Sequence, residues 1–205
     1  MNTEQRSSSW YEQRRGRFTG SRINELLGVR GLNKTGENYA FEMATQFFTG
    51  CSEEDSYMSK DMQRGVELEP LAFKKFKELK ELEFLTVKNC GFFKYKENGG
   101  ASPDGIVSDN AVLEIKCPKK ETFFKVVATN KIDPKYYAQM QMEMLSADKS
   151  KAYFFNYYVQ DGEEFWHEII VERDEEMIRK IKERIKEASI VRDKYINEIN
   201  NNKQF

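Results

Sequence analysis

Three charged side chains interrupt what otherwise reads as a buried β-hairpin. Asp104 stands in Ser102-Pro103-Asp104-Gly105-Ile106-Val107, and Glu114 and Lys116 stand in Val112-Leu113-Glu114-Ile115-Lys116-Cys117-Pro118. Strand periodicity puts Leu113, Ile115 and Cys117 on one face of the second arm and Val112, Glu114 and Lys116 on the other. Glu114 and Lys116 are then neighbours, about 7 Å apart along the strand. An acid and an ammonium on one strand face can be no more than a solvated edge. Asp104 argues for more, because it heads the opposing arm, ten positions before Glu114, between a proline and a glycine. Two carboxylates brought together repel unless positive charge lies between them, so the cluster asks for a cation. Hard oxygen ligands suit Mg²⁺ or Mn²⁺, which takes one or two carboxylates and keeps water or phosphate in its other positions. Lys116 could hold an attacking water or steady charge developing on phosphorus. The hairpin loop decides whether this chemistry is available. A two- or four-residue loop at Asp109-Asn110 sets Asp104 opposite Ile115, whereas a three-residue loop sets it opposite Glu114 on the same face.

The elements that must position this hairpin are spread over 205 residues, of which 39% are hydrophobic, 13% aromatic and 33% charged. That composition fits a globular chain with one sizeable core, and a single domain over residues 1–205 is expected. No run approaches the ~20 apolar residues of a membrane span, and Met1-Asn2-Thr3-Glu4-Gln5-Arg6 lacks the apolar core of a signal peptide, so a cytoplasmic protein is expected. Cys51, Cys90 and Cys117 include no CxxC and suggest neither a disulfide framework nor a zinc site. With one histidine, His167, in an alternating strand, a cysteine-ligated iron–sulfur cluster is not indicated either, and His167 reads as structural. The net charge of −1 argues against binding nucleic acid through a wholly basic surface. Distribution matters more: residues 1–34 carry seven basic against three acidic side chains, a surplus of four.

Taken in order, Ser9-Trp10-Tyr11-Glu12 fits a capping box, and a short helix is expected from Trp10 to about Arg15, ending before Gly16. Thr19-Gly20-Ser21 then leads into a second helix, Arg22 to Leu27, stopped by Gly28. Small residues at a helix start with arginines nearby could cradle a phosphate, or could simply cap a surface helix. Residues 29–36 read as a loop. Tyr39, Ala40, Met43, Ala44 and Phe47 give Glu37–Phe48 a core-facing helical stripe ended by Gly50, and Cys51–Ser59 reads as another loop. In Arg64 to Phe76, Glu69 shares a helical face with Ala72, Phe73 and Phe76, where a carboxylate is costly unless paired or bound to metal. Pro70 is expected to start or kink that helix, which leaves open an N-terminal capping role for Glu69. Leu82–Val87 and Cys90–Tyr95 are strand candidates, and Asn98-Gly99-Gly100 is a turn before the central hairpin. A helix follows Pro134, with Tyr136 and Gln139 on one face and Met140 and Met144 on the adjoining stripe. Ala152–Val159 and Glu164–Val171 form a hairpin about Gln160-Asp161-Gly162-Glu163. Asp174 caps a long last helix whose apolar positions, Ile178, Ile181, Ile185, Ala188, Tyr195 and Ile199, are interrupted by Arg192.

Asp-(about ten residues)-Glu-x-Lys resembles the PD-(D/E)XK nuclease superfamily, and the fuller Ser-Pro-Asp-Gly…Leu-Glu-Ile-Lys-Cys-Pro resembles the lambda exonuclease (YqaJ) family within it. Other pieces lie in family order. Trp10…Arg14-x-Gly16…Thr19-Gly20-Ser21 is similar to the family's Trp…Arg-x-Gly…Thr-Ala-Ser segment, which assigns Arg14 and Ser21 to the 5′-phosphate of a DNA end. Gly65 to Glu69 is similar to its Gly-x-x-x-Glu helix, which makes Glu69 a metal-binding residue. Tyr136-Tyr137-Ala138-Gln139-Met140-Gln141 is similar to its Tyr-x-x-Gln-x-Gln, which sets Gln139 beside the catalytic metals.

Strands in the middle with helices before, between and after them indicate an α+β fold, a mixed central sheet flanked by helices. The resemblance implies the restriction-endonuclease-like version of it. It further implies a Mg²⁺-dependent exonuclease, with Mn²⁺ as a possible substitute and two ions per site. Asp104, Glu114 and the Ile115 carbonyl would hold one ion, Glu69 would help hold the other near Gln139, and Lys116 would orient the water. The implied substrate is linear duplex DNA, digested 5′ to 3′ from a phosphorylated end to leave a 3′ strand. The implied partners are a single-strand annealing protein and, as a ring of three, two further copies of the chain. The same residues leave room for a restriction- or repair-type endonuclease, for a DNA-end-binding module without catalysis, and for a magnesium enzyme of small phosphate esters. The last lacks any Gly-rich phosphate loop here.

Overall fold

The run Val112–Lys116 becomes the centre of a five-stranded sheet in the computed structural model, which describes residues 5–50 and 60–203. The chain begins with α1 (Ser8–Arg14), β1 (Phe18–Thr19), a 3₁₀ helix (Gly20–Leu26), α2 (Lys34–Thr49) and α3 (Lys60–Leu82). The strands β2 (Val87–Lys88), β3 (Phe93–Tyr95), β4 (Gly99–Ala101), β5 (Gly105–Val107) and β6 (Ala111–Lys116) follow. Then come α4 (Lys120–Thr129), α5 (Pro134–Ala147), β7 (Lys151–Gln160), β8 (Glu163–Glu172) and α6 (Glu175–Asn202). The strand order is β2-β5-β6-β7-β8, with β6 and β7 parallel and every other neighbouring pair antiparallel. The fold is therefore α+β with a mixed sheet, as the pattern predicts.

One sheet face is closed by α3 and the other by α5 with Val126 of α4, and strand alternation decides which residues go where. Leu113, Ile115, Tyr153, Phe155 and Tyr157 pack with Ala72 and Phe76 of α3. Val112, Ala152 and Phe154 pack with Met140 and Met144 of α5. A third cluster joins the 3₁₀ helix, α2, α5 and α6 through Ile23, Leu26, Tyr39, Met43, Met142 and Ile181. A small sheet of order β1-β4-β3 lies in the same region, with Phe18 and Ala101 in that cluster.

Several boundaries differ from expectation for identifiable reasons. Ser7 caps α1, its Oγ accepting from the Trp10 N–H at 3.3 Å, so the helix starts before the expected Ser9 box. The segment after Thr19 is 3₁₀ rather than α, and Thr19 gives no side-chain cap. Its N–H and hydroxyl turn instead to the Tyr39 hydroxyl, at 2.9 and 3.3 Å. Asn33 caps α2, accepting from the Gly36 N–H at 3.0 Å, which shortens the expected loop. Phe47, expected in the stripe of α2, is exposed. The expected loop Cys51–Ser59 lies outside the described residues. Pro70 does not begin its helix: α3 starts at Lys60 and continues across it. Glu69 is consequently mid-helix, which removes the capping alternative. The helix also runs to Leu82, and of the expected strand Leu82–Val87 only Val87 remains, as the first residue of β2. Gly99 and Gly100 form strand β4 rather than a turn. A Cβ on Gly100 would meet the Phe92 ring at 2.3 Å, so glycine is required there by close approach and not by turning.

The later elements agree more closely with the pattern. Pro134 is the first residue of α5, capped by Asp133. β7 and β8 are joined through Asp161-Gly162, both at positive φ (54° and 82°), as a two-residue hairpin requires. Asp174 caps α6 by accepting from the Glu176 and Met177 N–H groups, each at 3.0 Å. Arg192, the exception in the stripe of α6, donates to the Gly16 carbonyl at 2.8 Å and to Asn98 Oδ1 at 2.9 Å, fastening the helix to both turns.

Candidate active site

The antiparallel register of β5 and β6 pairs Gly105 with Leu113, Ile106 with Val112 and Val107 with Ala111. The connection is thus the three-residue Ser108-Asp109-Asn110, with Asn110 at φ 67°. This is the register the chemistry needs. The loop is pinned by Asp109, which accepts from Lys151 Nζ at 2.7 Å and from the Tyr153 hydroxyl at 2.5 Å. One residue before the ladder, the Asp104 N–H donates to the Leu113 carbonyl at 2.9 Å, and Asp104 Oδ2 accepts the Ile115 N–H at 2.7 Å. The carboxylate of one arm is thereby fastened to the backbone of the other.

Glu114 is 1% exposed. Its Oε1 accepts from Lys116 Nζ and from Gln139 Nε2, the latter at 2.7 Å. Gln139 Nε2 also donates to Glu143 Oε1 at 2.8 Å, and Glu143 too is 1% exposed, with no hydrogen-bond partner for Oε2 among the described residues. Burial and the neighbouring Glu114 push the Asp104 carboxyl well above the usual range. Burial and Glu114 do the same to Glu143. Lys116 stays a firm cation: burial opposes its charge, but Glu114 and Asp104 more than offset that. Its Nζ also lies 4.8 Å from the Tyr136 ring centroid. Glu69 comes from α3 and bonds Arg6 at 2.8 Å. It adds its own negative charge to the field at Asp104.

These residues adjoin a cleft of about 740 Å³ whose walls include Arg64, Glu69, Ile115, Lys116, Lys119 and Asn156. Arg64 is held in place by donating to the Cys117 carbonyl at 2.9 Å. Arg64, Lys116 and Lys119 on the walls beside Glu69, with the buried Glu114 bonded to Lys116 just behind, suit a phosphodiester better than a neutral ligand.

The two phosphate candidates approach from the N-terminal side. Trp10 Nε1 donates to Ser102 Oγ at 2.8 Å, two residues before Asp104, and the Arg14 guanidinium lies 4.1 Å over the Trp10 ring. Ser21 Oγ is 3.4 Å from Thr19 Oγ1. Gly20 packs so closely on Ala101 and the Gln139 backbone that a Cβ there would stand 3.0 Å from Ala101 Cβ and 3.7 Å from the Gln139 carbonyl oxygen. Arg14 is thus stacked on the ring that bonds the head of the hairpin, and Gly20, next to Ser21, packs on the helix carrying Gln139. The basic surplus of the first 34 residues is narrower than its count suggests. Arg22 is spent on Glu25 and Glu42, at 2.7 and 2.5 Å, and Arg15 on the Gln46 and Phe47 carbonyls.

Glu143, Asn156 and Arg64 do not emerge from the sequence as site residues. Glu143 is four residues after Gln139, and that spacing is the signal for a shared helical face. Asn156 is a polar residue inside an aromatic strand. Gln141 takes a different part: its Oε1 accepts the Asp174 N–H at 2.8 Å and its Nε2 donates to the Glu172 carbonyl at 2.9 Å, tying α5 to the β8–α6 junction. His167 lies on β8 with Nε2 2.8 Å from Asn130 Oδ1.

Among the described residues no three His, Cys, Asp or Glu side chains stand together as a ready metal site. The donors nonetheless fit a divalent cation in kind. They are hard carboxylate oxygens, and burial together with the neighbouring Glu114 raises the proton affinity of Asp104, a condition that a cation would relieve. One oxygen of each is engaged here, Glu114 Oε1 by Lys116 and Gln139, Asp104 Oδ2 by the Ile115 N–H and Glu69 Oε2 by Arg6, so a cation on those oxygens competes with these partners.

The sequence profile of the YqaJ-like viral recombinase domain matches residues 9–150. No curated protein matches the chain. An alkaline exonuclease (LHK-Exo) from Laribacter hongkongensis has a similar structure, with TM-score 0.81 and 28% identity over 95% of this chain and 97% of that one. The structure of LHK-Exo in complex with dAMP gives TM-score 0.77 and 30% identity over 95% of each chain. A phage related exonuclease from Haemophilus somnus 129PT shares the fold, with TM-score 0.73 and 22% identity over 89% of this chain and 96% of that one. Among the described residues no helix is long and apolar enough to cross a membrane.

Proposed function

The chain belongs to the YqaJ-like viral recombinase family, and on that premise we propose that it is a divalent-metal-dependent DNA exonuclease. It degrades linear duplex DNA 5′ to 3′ from a phosphorylated end and leaves a 3′ single strand for recombination. The observation that supports this most is the three-residue hairpin loop. It sets Asp104 against Glu114, with Lys116 on the same strand and on the wall of a cleft that also carries Arg64 and Lys119.

Mg²⁺, or Mn²⁺, would be held by Asp104, Glu114 and the Ile115 carbonyl, and a second ion by Glu69 near Gln139; bound there it supplies charge neutralisation and activation of water. The protein's own groups do the rest. Lys116 Nζ–H donates to the attacking water or to a phosphoryl oxygen and so stabilises charge as it develops. Gln139, bonded to both Glu114 and Glu143, fixes the orientation of Glu114. Arg14, stacked on Trp10, and Ser21 bind the terminal 5′-phosphate and set which phosphodiester enters the cleft. In this proposal the whole chain acts as one domain in the cytoplasm, beside a single-strand annealing protein. Three copies would form a ring whose channel need be basic only along its inner wall.

Digestion of end-labelled linear duplex DNA, carrying 5′-phosphate or 5′-hydroxyl, tests the proposal in Mg²⁺ and in EDTA. The wild type is expected to release nucleotides from the phosphorylated 5′ end only with metal, and Lys116→Ala to release at least about a hundredfold fewer per unit time. Equal cutting of covalently closed circles would replace this function with that of an endonuclease. Ends bound but never cut would leave a binding module.

A further inference from the structure

Lys116 and Asn156 are direct partners in the parallel pairing of β6 with β7, and both line the cleft. Their side chains leave the same face of the sheet, the face that carries Glu114 and Phe154 two residues earlier. Asn156 is 1% exposed, and neither its Oδ1 nor its Nδ2 has a hydrogen-bond partner among the described residues. Packing alone gives no reason for an amide there, since leucine has a similar volume and brings no polar group to be satisfied. Beside it the opposite condition holds: Glu114 Oε1 accepts from Lys116 and Gln139 at once.

That crowding matters if Glu114 serves as an oxygen donor to a cation, the function proposed above, on which this inference rests. A carboxylate oxygen engaged with a divalent cation cannot keep an ammonium on the same lone pairs, because the two positive charges repel at that distance. Where the cation takes Oε1, Lys116 must find another acceptor, and its cross-strand partner offers one. We propose that Asn156 is a positioning residue, whose Oδ1 takes over Lys116 Nζ when Glu114 is engaged by the cation. The ammonium then stays on the cleft wall, where the attacked phosphate enters. An uncharged amide suits this task because it accepts from the ammonium without adding a fourth carboxylate to Asp104, Glu114 and Glu143. Asn156 thus supplies a second resting place for one lysine, filled only in the loaded site.

Two measurements test this. In Asn156→Leu, kcat on 5′-phosphorylated duplex is expected to fall about tenfold or more, from loss of orientation at Lys116, with KM for the DNA end within about twofold. The metal-free variant should melt at or above the wild-type temperature, because a buried unpaired amide has been removed. A kcat within twofold of wild type overturns the proposal, and so does a joint fall of kcat and melting temperature, which a structural amide would give. The second measurement does not depend on that variant. In protein labelled with ¹⁵N-asparagine, the side-chain amide resonances of Asn156 are expected to move on adding Mg²⁺ to the wild type and to stay in place in Lys116→Met. No movement in the wild type, or equal movement in both, overturns it. Should the wild type fail to cut DNA in Mg²⁺, the proposed function falls, while the amide resonances still report whether Lys116 changes partner.

Discussion

Asp104 Oδ2 lies 2.7 Å from the backbone nitrogen of Ile115, so a candidate metal-binding carboxylate is fastened to the strand that carries its partner Glu114. The charge of Asp104 and its bond to Ile115 can be separated experimentally. Asp104→Asn keeps an acceptor for the Ile115 N–H and removes the charge. It is expected to melt close to wild type while losing nuclease activity by a factor of about a hundred or more. Asp104→Ala loses both, and a further destabilisation of about 1–3 kcal/mol should appear in urea titration.

Cation and pH should act on the same groups. Asp104 and Glu143 have carboxyls raised by burial and by Glu114, so between their ordinary and their raised values the folded chain holds protons that the unfolded chain has released. Without metal, their contribution to stability is full below the ordinary carboxylate range. It is lost as pH rises through that range toward the raised values. Mg²⁺ competes with those protons, so its stabilisation should grow with pH. Melting curves at pH 5, 7 and 8.5, with Mg²⁺ and with EDTA, would measure this, and a Mg²⁺ effect that shrinks with rising pH would contradict it.

Gln139 is placed between two carboxylates that would otherwise face each other. In Gln139→Leu, Glu114 and Glu143 lose their shared donor, at 2.7 and 2.8 Å. The expected loss is about 1–3 kcal/mol of stability. Adding Glu143→Gln should recover part of it by restoring a donor and removing a charge. A double variant no more stable than Gln139→Leu would show that Glu143 does not face Glu114 as described.

Gly100→Ala should be poorly tolerated although the site is a strand rather than a turn. Its Cβ would stand 2.3 Å from one Phe92 ring atom and 2.6 Å from another, and overpacking of this kind costs about 1–3 kcal/mol. Gly100→Ala combined with Phe92→Leu should recover only part of the stability in chemical denaturation, because the Phe93 carbonyl oxygen stays 2.6 Å from the new Cβ. Gly50→Ala, with nothing among the described residues within 4 Å of its Cβ, reports mainly the backbone cost of a φ of 85°.

Alternation alone was enough to place Glu114 and Lys116 on one face. The three-residue loop was one of two stated registers, and the structure selects it through Asn110 in the left-handed region and the Asp109 bonds to Lys151 and Tyr153. What stayed hidden depends on approach in space. Gly99-Gly100 reads as a turn until the ring of Phe92 is seen against it. Pro70 reads as the start or a kink of its helix, and propensity cannot anticipate that the helix already begins at Lys60, packs on the sheet and continues across it. Glu143 looks like any helical acid until its four-residue spacing from Gln139 is joined to the fact that Gln139 faces Glu114. Asn156 is legible only once β7 lies beside β6, a pairing forty residues apart in the chain.

Gln141 has a consequence for what counts as the working unit of this protein. The segment shared with the family profile ends at residue 150, yet the partners of Gln141 are Glu172 and Asp174, and the partner strand of Lys116 begins at Lys151. One helix therefore presents Gln139 to the carboxylates and, two residues on, is braced by the start of α6. A fragment cut at the profile's end would keep every motif and lose the brace that aims one of them. Heredity recognisable in sequence and mechanical support have different borders here, and an engineered minimal nuclease would have to respect the second.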